Sequence, residues 1–318
     1  MGNVDNTPYD DVFRTLVNDL PRVTLKLINE MFSLSLSEKY SGNEKVEQLL
    51  NESFLEQQDG EQNKRITDTR IRVYGHDIKQ YHIECQSIPD GSITVRMFEY
   101  DSQIALQEST RSTQQLVVNY PNSGILFLRW TDETPDSILV TINTPGGTVS
   151  YSIPSLKIGD YTVEDVIKKE LYFLIPFYLF NYEKLIKRES NTKTRGKNKA
   201  GLENIKRDYI RIKEYLVESC YNGLIDEYEM LTIRDMVKKV LNNLSKKAES
   251  VKKEVTDIMG GKILEYEAKT ILNKGKAEGK AEEHDSMKKN IRHNLRKMHA
   301  DWDDARLDLE VENLIKAF

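Results

Sequence analysis

Between residues 65 and 86 the chain carries two acids, Asp68 and Glu84, on two strand-like stretches, with Gln86 two residues past the second acid. Residues 64–74 and 79–87 flank Gly75-His76-Asp77, and the pattern reads as a hairpin. With the turn centred on His76, Asp68 falls opposite Glu84, Ile66 opposite Gln86 and Arg70 opposite His82. Period-2 alternation puts His82, Glu84 and Gln86 on one face and Tyr81, Ile83 and Cys85 on the other. Opposed residues have Cβ atoms ~4.5–5.5 Å apart, so two carboxylates so placed repel unless both turn into water or a cation lies between them. A hard divalent ion such as Mg²⁺ suits the second case, since it takes carboxylate oxygens at ~2.0–2.1 Å and keeps several waters. Both readings are open on the hairpin arithmetic.

The elements around this pair are legible in outline. Residues 8–32 open with Pro8, Asp10 and Asp11, then set Val12, Phe13, Leu16, Leu20, Val23, Leu27, Ile28 and Phe32 at helical spacing, with Pro21 expected to kink or split the segment. Residues 36–63 read as polar and irregular. Pro89-Asp90-Gly91 is a turn, and 93–108 is a helix on which Arg96 and Tyr100, four apart, share a face. Residues 124–130 suit a buried strand. Residues 138–144 and 148–153 alternate around Pro145-Gly146-Gly147 as a hairpin. Residues 163–186 read as an apolar helix containing Pro176. From about residue 187 the composition shifts: 191–201 read as a polar, basic loop, and the pattern beyond is helical, broken at Asn222-Gly223 and Gly260-Gly261.

Composition bounds the classes. The chain has 318 residues, 38% apolar and 31% charged, long enough for a substantial core but with part of its length solvated. The longest apolar run, 171–180, is too short for a bilayer span of ~20 residues. Cys85 and Cys220 are too few for a disulfide framework or a structural zinc site. Acids rather than a basic, apolar leader lie near Met1, so a reduced, cytoplasmic protein is expected. The net charge of −5 confines any nucleic-acid surface to a local patch. The best candidate is 191–213, where Lys193, Arg195, Lys197, Lys199, Lys206, Arg207, Arg211 and Lys213 face only Glu203 and Asp208. Such a stretch either neutralises phosphates or is a solvated linker. Residues 287–297, with Lys288, Lys289, Arg292, His293, Arg296 and Lys297, form a second basic stretch.

Ile66-Thr67-Asp68 followed by Glu84-Cys85-Gln86-Ser87 resembles the PD-(D/E)XK nuclease superfamily, and more narrowly the bacterial Rpn-type recombination-promoting nucleases, also called PD-(D/E)XK family transposases. That family opens on Thr-Pro-His-Asp-x-x-Phe-Lys, matched by Thr7-Pro8-Tyr9-Asp10-Asp11-Val12-Phe13-Arg14. Its Glu-His-Gln-Ser block, with Arg and Tyr on the next helix, is matched by residues 84–87, Arg96 and Tyr100. Its terminal Gly-Lys-Ala-Glu-Gly is matched at 275–279. The resemblance spans roughly residues 7–280. Thr67 stands for the superfamily's Pro, Gln86 for its Lys, and Tyr9, Cys85 and Arg14 depart from the narrower pattern.

The resemblance implies a restriction-endonuclease-like α/β core, a mixed sheet flanked by helices, over residues 1–186. A basic linker at 187–201 and a helical C-terminal region at 202–318 follow. It implies that Asp68 and Glu84, with the Cys85 carbonyl as a third ligand, hold Mg²⁺ or Mn²⁺ for hydrolysis of a phosphodiester. Gln86 would orient the attacking water without the positive charge of Lys. Asp10 either completes the acidic cluster or caps its helix. Arg96, Tyr100, Lys193, Arg195, Lys197 and Lys199 would contact double-stranded DNA. Cutting both strands asks for two sites, so a homodimer is expected. The rival expectation is a catalytically silent DNA- or protein-binding member of the same fold, with RNA cleavage ranked last.

Overall fold

The computed structural model describes residues 8–34, 36, 45–48, 52–56, 62–66, 69–74, 79–87, 91–191 and 199–259, and positions 289, 292, 296, 304, 306 and 308. The chain divides into two compact units, Met1–Leu216 with Tyr228–Gly261, and Val217–Glu227 with Lys262–Phe318. Among the described residues no helix is long and apolar enough to cross a membrane.

The first unit opens with α1 (Pro8–Asp19) and α2 (Pro21–Phe32). The expected break at Pro21 is a change of helix: Leu20 leaves helical geometry, and Pro21 starts α2 where its missing N–H costs nothing. Ser33, in the left-handed conformation, ends α2. Strands β1 (Lys45–Gln48), β2 (Glu52–Glu56) and β3 (Gln62–Ile66) follow, so the stretch read as irregular contains extended chain. Then come β4 (Thr69–Tyr74), β5 (Lys79–Gln86), α3 (Ile93–Gln107), β6 (Thr110–Arg111), β7 (Leu116–Val117) and β8 (Asn122–Phe127). The hairpin β9 (Ser137–Thr144) and β10 (Gly147–Lys157) completes the strands.

The main sheet has six strands in the order β1-β4-β5-β8-β10-β9. β5, β8 and β10 run parallel, while β1/β4, β4/β5 and β10/β9 are antiparallel. The protein is thus an α/β fold with a mixed sheet flanked by helices. The predicted hairpin register holds where it is described, with Thr69 opposite Ile83, Arg70 opposite His82 and Ile71 opposite Tyr81. One expectation fails. Residues 64–74 are not a single strand: β3 pairs with β2, and Ile66 lies opposite Glu52 instead of Gln86. A run of β-formers shows strand propensity but does not say which neighbour accepts its hydrogen bonds. Asp68 and Thr67 lie outside the described residues, as does the turn at His76.

Helices cover both faces. On one, Tyr81 meets Phe32 at 5.1 Å between ring centroids, and α2 presses onto Gly124 of β8. A Cβ at Gly124 would sit 2.1 Å from Met31 Sδ and 3.2 Å from Phe32 Cζ. Met31 can swing aside for one methyl group but not for a branched side chain with Phe32 beside it. Gly124→Val is therefore expected to destabilise the fold by ~1–3 kcal/mol, read as a lower urea midpoint. On the other face, α3 lays Ile93 and Met97 on Ile125, Phe127, Ile138 and Ile153.

Residues 163–186 correct a second expectation. Thr162 caps α4 (Val163–Lys168) through a reciprocal bond pair with Asp165, but the helix stops there and Glu170 takes positive φ. Tyr172–Tyr182 is a 3₁₀ segment around Pro176, followed by α5 (Glu183–Glu189). Pro176 cannot donate to a preceding carbonyl and crowds an α-helical one, and the segment is buried from Tyr172 to Phe180 instead of amphipathic.

The helical residues of the first unit fold back onto its α/β part. In α6 (Lys199–Tyr221), Asp208 accepts from Tyr178 Oη at 3.2 Å and from Tyr182 Oη, and Tyr215 stacks on Tyr172. In α7 (Glu227–Leu244), Lys239 pairs with Asp11 at 3.4 Å and Glu229 with Arg22 at 3.5 Å. In α8 (Glu249–Met259), Ser250 donates to Glu189 at 3.2 Å. Within the second unit, Gly223 takes the left-handed conformation and Leu224 N donates back to Ser219 O, closing the end of α6 at the expected Asn222-Gly223 break. There, too, Arg292 pairs with Asp304 and Asp308, and Arg296 with Asp304, so these two basic side chains already have acidic partners.

Candidate functional site

Glu84 and Gln86 lie with His82 on one face of β5, as alternation requires, and that face looks at α3. Pairing carries the same face across the sheet, with Arg70 and Ser123 beside His82, and Ile125 beside Glu84. Three polar side chains of β5 meet α3 or the residue just after it. Gln80 donates to Glu108, His82 contacts Asp101, and Gln86 Oε1 accepts from Arg96 Nη2 at 2.6 Å. Arg70 on β4 reaches Gln107 at 2.7 Å, and Arg72 reaches Glu108 at 2.5 Å.

His82 is the centre of this row. Its ring is fully buried, with Nδ1 at 2.8 Å from Asp101 Oδ1 and Nε2 at 3.1 Å from Glu84 Oε1. Ser123 Oγ donates to the same Asp101 oxygen at 2.5 Å, and Tyr100 stands edge-on to the imidazole at 5.9 Å. Burial alone would hold the ring neutral. The hydrogen bonds to Asp101 and Glu84, and the charge of both carboxylates, outweigh it and push the pKa up to about 9. An imidazolium therefore lies between two carboxylates, with both N–H groups donating.

Sequence reasoning left His82 and Asp101 out of the site. The signals were present: His82 shares the Glu84 face by alternation. Asp101 interrupts the inner apolar stripe of α3 (Ile93, Met97, Tyr100, Ile104), where a charge needs a buried partner.

A second junction forms at the carboxyl end of β5. Arg129, two residues past β8, makes a two-point contact with Glu183, with Nε and Nη2 each 2.9 Å from Oε1. It also donates to the Ser87 carbonyl and lies over the rings of Phe180 (4.9 Å) and Tyr9 (5.7 Å). This ties the first turn of α1, where Asp10 follows Tyr9, to the end of the strand bearing Glu84 and Gln86. Asp10 lies inside the first helical turn and is partly buried.

The other expected residues fall as follows. Cys85 points its buried side chain to the α2 face. Its carbonyl points toward β4, because the next one, Gln86 O, accepts from Leu128 N beyond β8 and successive carbonyls alternate in direction. Tyr100 is a packing partner of His82, and Arg96 is held against Gln86. Lys199 is exposed at the start of α6. Lys193, Arg195, Lys197 and Asp68 lie outside the described residues.

For a hard cation, the described residues offer the Glu84 carboxylate, one of whose oxygens is held by His82, and the Cys85 carbonyl. Among the described residues no group of three or more His, Cys, Asp or Glu could hold a metal ion. The donor types fit Mg²⁺ or Mn²⁺, and a full set needs Asp68. What the described geometry defines is an α/β protein with a buried Glu84–His82–Asp101 row between sheet and helix. Comparison with models of protein families, with curated proteins and with solved structures gives no match.

Proposed function

We propose that the chain is a metal-dependent DNA endonuclease with a PD-(D/E)XK core of the Rpn type, acting at the carboxyl end of β5. The observation that carries this reading is the β4–β5 register. Thr69 pairs with Ile83, next to Glu84, and Asp68 directly precedes Thr69 in the chain. Two further features support it. The site lies at the carboxyl ends of the parallel strands β5 and β8, where ligand sites of open α/β sheets collect. Arg96 brings to the amide of Gln86 the positive charge that glutamine lacks.

A divalent cation held by Asp68, Glu84 and the Cys85 carbonyl would supply Lewis-acid activation of the phosphate and of a water. The chain's own part is to fix Glu84 through His82, to orient Gln86 through Arg96, and to hold the start of α1 against Ser87 through Arg129. Gln86 would then align the water for in-line attack while Arg96 offsets charge on the phosphate. Basic residues at Lys193, Arg195, Lys197 and Lys199 would bind the duplex backbone. Recombination, mobile-element or phage-defence work is the setting that goes with this class.

The test is nicking of supercoiled plasmid with Mg²⁺ or Mn²⁺ beside Glu84→Gln, which keeps the shape and an acceptor for His82. Wild type should nick. The variant should be slower by more than the ~10–100-fold that loss of an outer-shell metal partner costs. Equal rates would remove Glu84 from the site. One observation favours a second reading, a silent DNA- or protein-binding member: Glu84 Oε1 already has a cationic partner in His82. Salt-dependent duplex binding by both proteins, without cleavage by either, would put that reading first.

A further inference from the structure

One stretch of the chain is almost free of charge. From 112 to 156 the only charged residues are Arg129, Asp132, Glu133 and Asp136, in a protein that is 31% charged. Much of this neutral stretch is at the surface, with Leu116 at 54%, Leu139 at 70% and Val149 at 63% exposed. Within it lies β9, which among the described residues pairs with β10 alone and so forms one edge of the main sheet. Its sequence, Ser-Ile-Leu-Val-Thr-Ile-Asn-Thr, has no charge and no proline, and its pairing to β10 runs without a bulge from Ser137 to Thr144. Edges that stay solitary usually carry one of those features.

We infer that β9 is a homodimer interface, pairing antiparallel with β9 of a second copy around a two-fold axis at Val140. The occupant follows from symmetry. An edge strand that pairs with itself antiparallel does so about an axis perpendicular to the sheet, so opposed residues share a face and have numbers of equal parity. Centred on Val140, Ile138 of each copy lies opposite Ile142 of the other, and the two Val140 side chains meet on the axis. The three apolar residues of the α3-side face thus form a self-complementary ladder, and the other face sets Leu139 against Thr141. In the single chain Ile138 is buried, while Val140 and Ile142 remain half-exposed. A second copy supplies the contacts these two lack, and no charge on either strand opposes the approach. This surface is independent of the Glu84 site and of the nuclease reading.

The test uses the full chain in three forms: wild type, Val140→Lys and Val140→Glu. Light scattering at micromolar to tens-of-micromolar concentration should give a dimer mass for wild type. Each variant alone sets like charges face to face on the axis and should raise the dimer dissociation constant at least about tenfold. An equimolar mixture of the two variants should restore the dimer, which also proves that both are folded. Hydrogen exchange of wild type should show β9 amides protected more strongly at high than at low concentration. A wild type that stays monomeric overturns the inference. So does a dimer that both variants form unchanged, as does one whose β9 amides exchange at the same rate throughout, since the interface then lies elsewhere.

Discussion

His82→Gln is expected to destabilise the protein by ~3–5 kcal/mol, the usual cost of removing one partner from a buried ionic group. The substitution keeps roughly the size and one donor of the ring. It removes the charge that lies between Asp101, fully buried, and Glu84, 5% exposed, and leaves two carboxylates facing each other across an uncharged amide. The pH dependence separates this account from simple loss of packing. The folded-state pKa, about 9, is above the ordinary value of 6.5, so the proton stabilises the folded state. That stabilisation is complete below pH 6.5, declines as pH rises toward 9, and is gone above it. A shift of this size corresponds to ~3 kcal/mol. Urea unfolding of wild type from pH 6 to 10 should show the midpoint falling across this window, and His82→Gln should show a much shallower fall. Parallel curves would mean that His82 does not fold as the imidazolium. For the nuclease reading the same proton matters, because it holds one Glu84 oxygen. Mn²⁺ affinity should therefore change in His82→Gln even where the protein remains folded.

The strand pair and its facing were legible because both follow from period-2 alternation and a short turn: Arg70 opposite His82 needs only the numbering and a turn centre. The helix after it, the hairpin around Pro145-Gly146 and the break at Pro21 were legible for similar local reasons. Three features were not. The pairing of β3 with β2 depends on a partner strand in sequence that is polar and poor in β-formers. The 3₁₀ segment around Pro176 looks like a helix in composition, since burial on all sides erases the amphipathic stripe that would tell its period. The third is the partner of Glu84. Sequence arithmetic set Glu84 against Asp68, which lies outside the described residues, and left water or a cation between them open. Among the described residues the partner of Glu84 is the imidazole of His82, two positions away on the same strand and held from the far side by Asp101 of α3. Only the packing of α3 onto the sheet brings Asp101 to His82, and that is a tertiary fact.

Arg129→Met is expected to cost ~2–4 kcal/mol, somewhat below the figure for a fully buried pair because both side chains keep some contact with water. Methionine preserves much of the stem that packs on Phe180 and Tyr9, so the loss isolates the charge. Among the described residues Glu183 would then be left with Lys187, itself 71% exposed, as its cation at 3.3 Å. Burial works against the Glu183 carboxylate, but hydrogen bonding and charge from Arg129, with Lys187 adding to them, hold its pKa below the usual value. Stability from the pair is thus present above pH ~4.5 and lost as pH falls through the lowered folded-state value. The Arg129→Met curve should lie below wild type at neutral pH and converge with it in acid. The functional consequence follows from geometry. Arg129 is the described link between Ser87, at the end of β5, and the first turn of α1, through Tyr9. If Asp10 serves the Glu84 site, cutting this link should reduce plasmid nicking in a sample still folded by circular dichroism, and Arg129→Lys should recover stability more than activity, because an ammonium cannot make the two-point contact and reach Ser87 together. Equal nicking by wild type and Arg129→Met at matched folded fraction would confine Arg129 to holding the fold and leave α1 outside the chemistry.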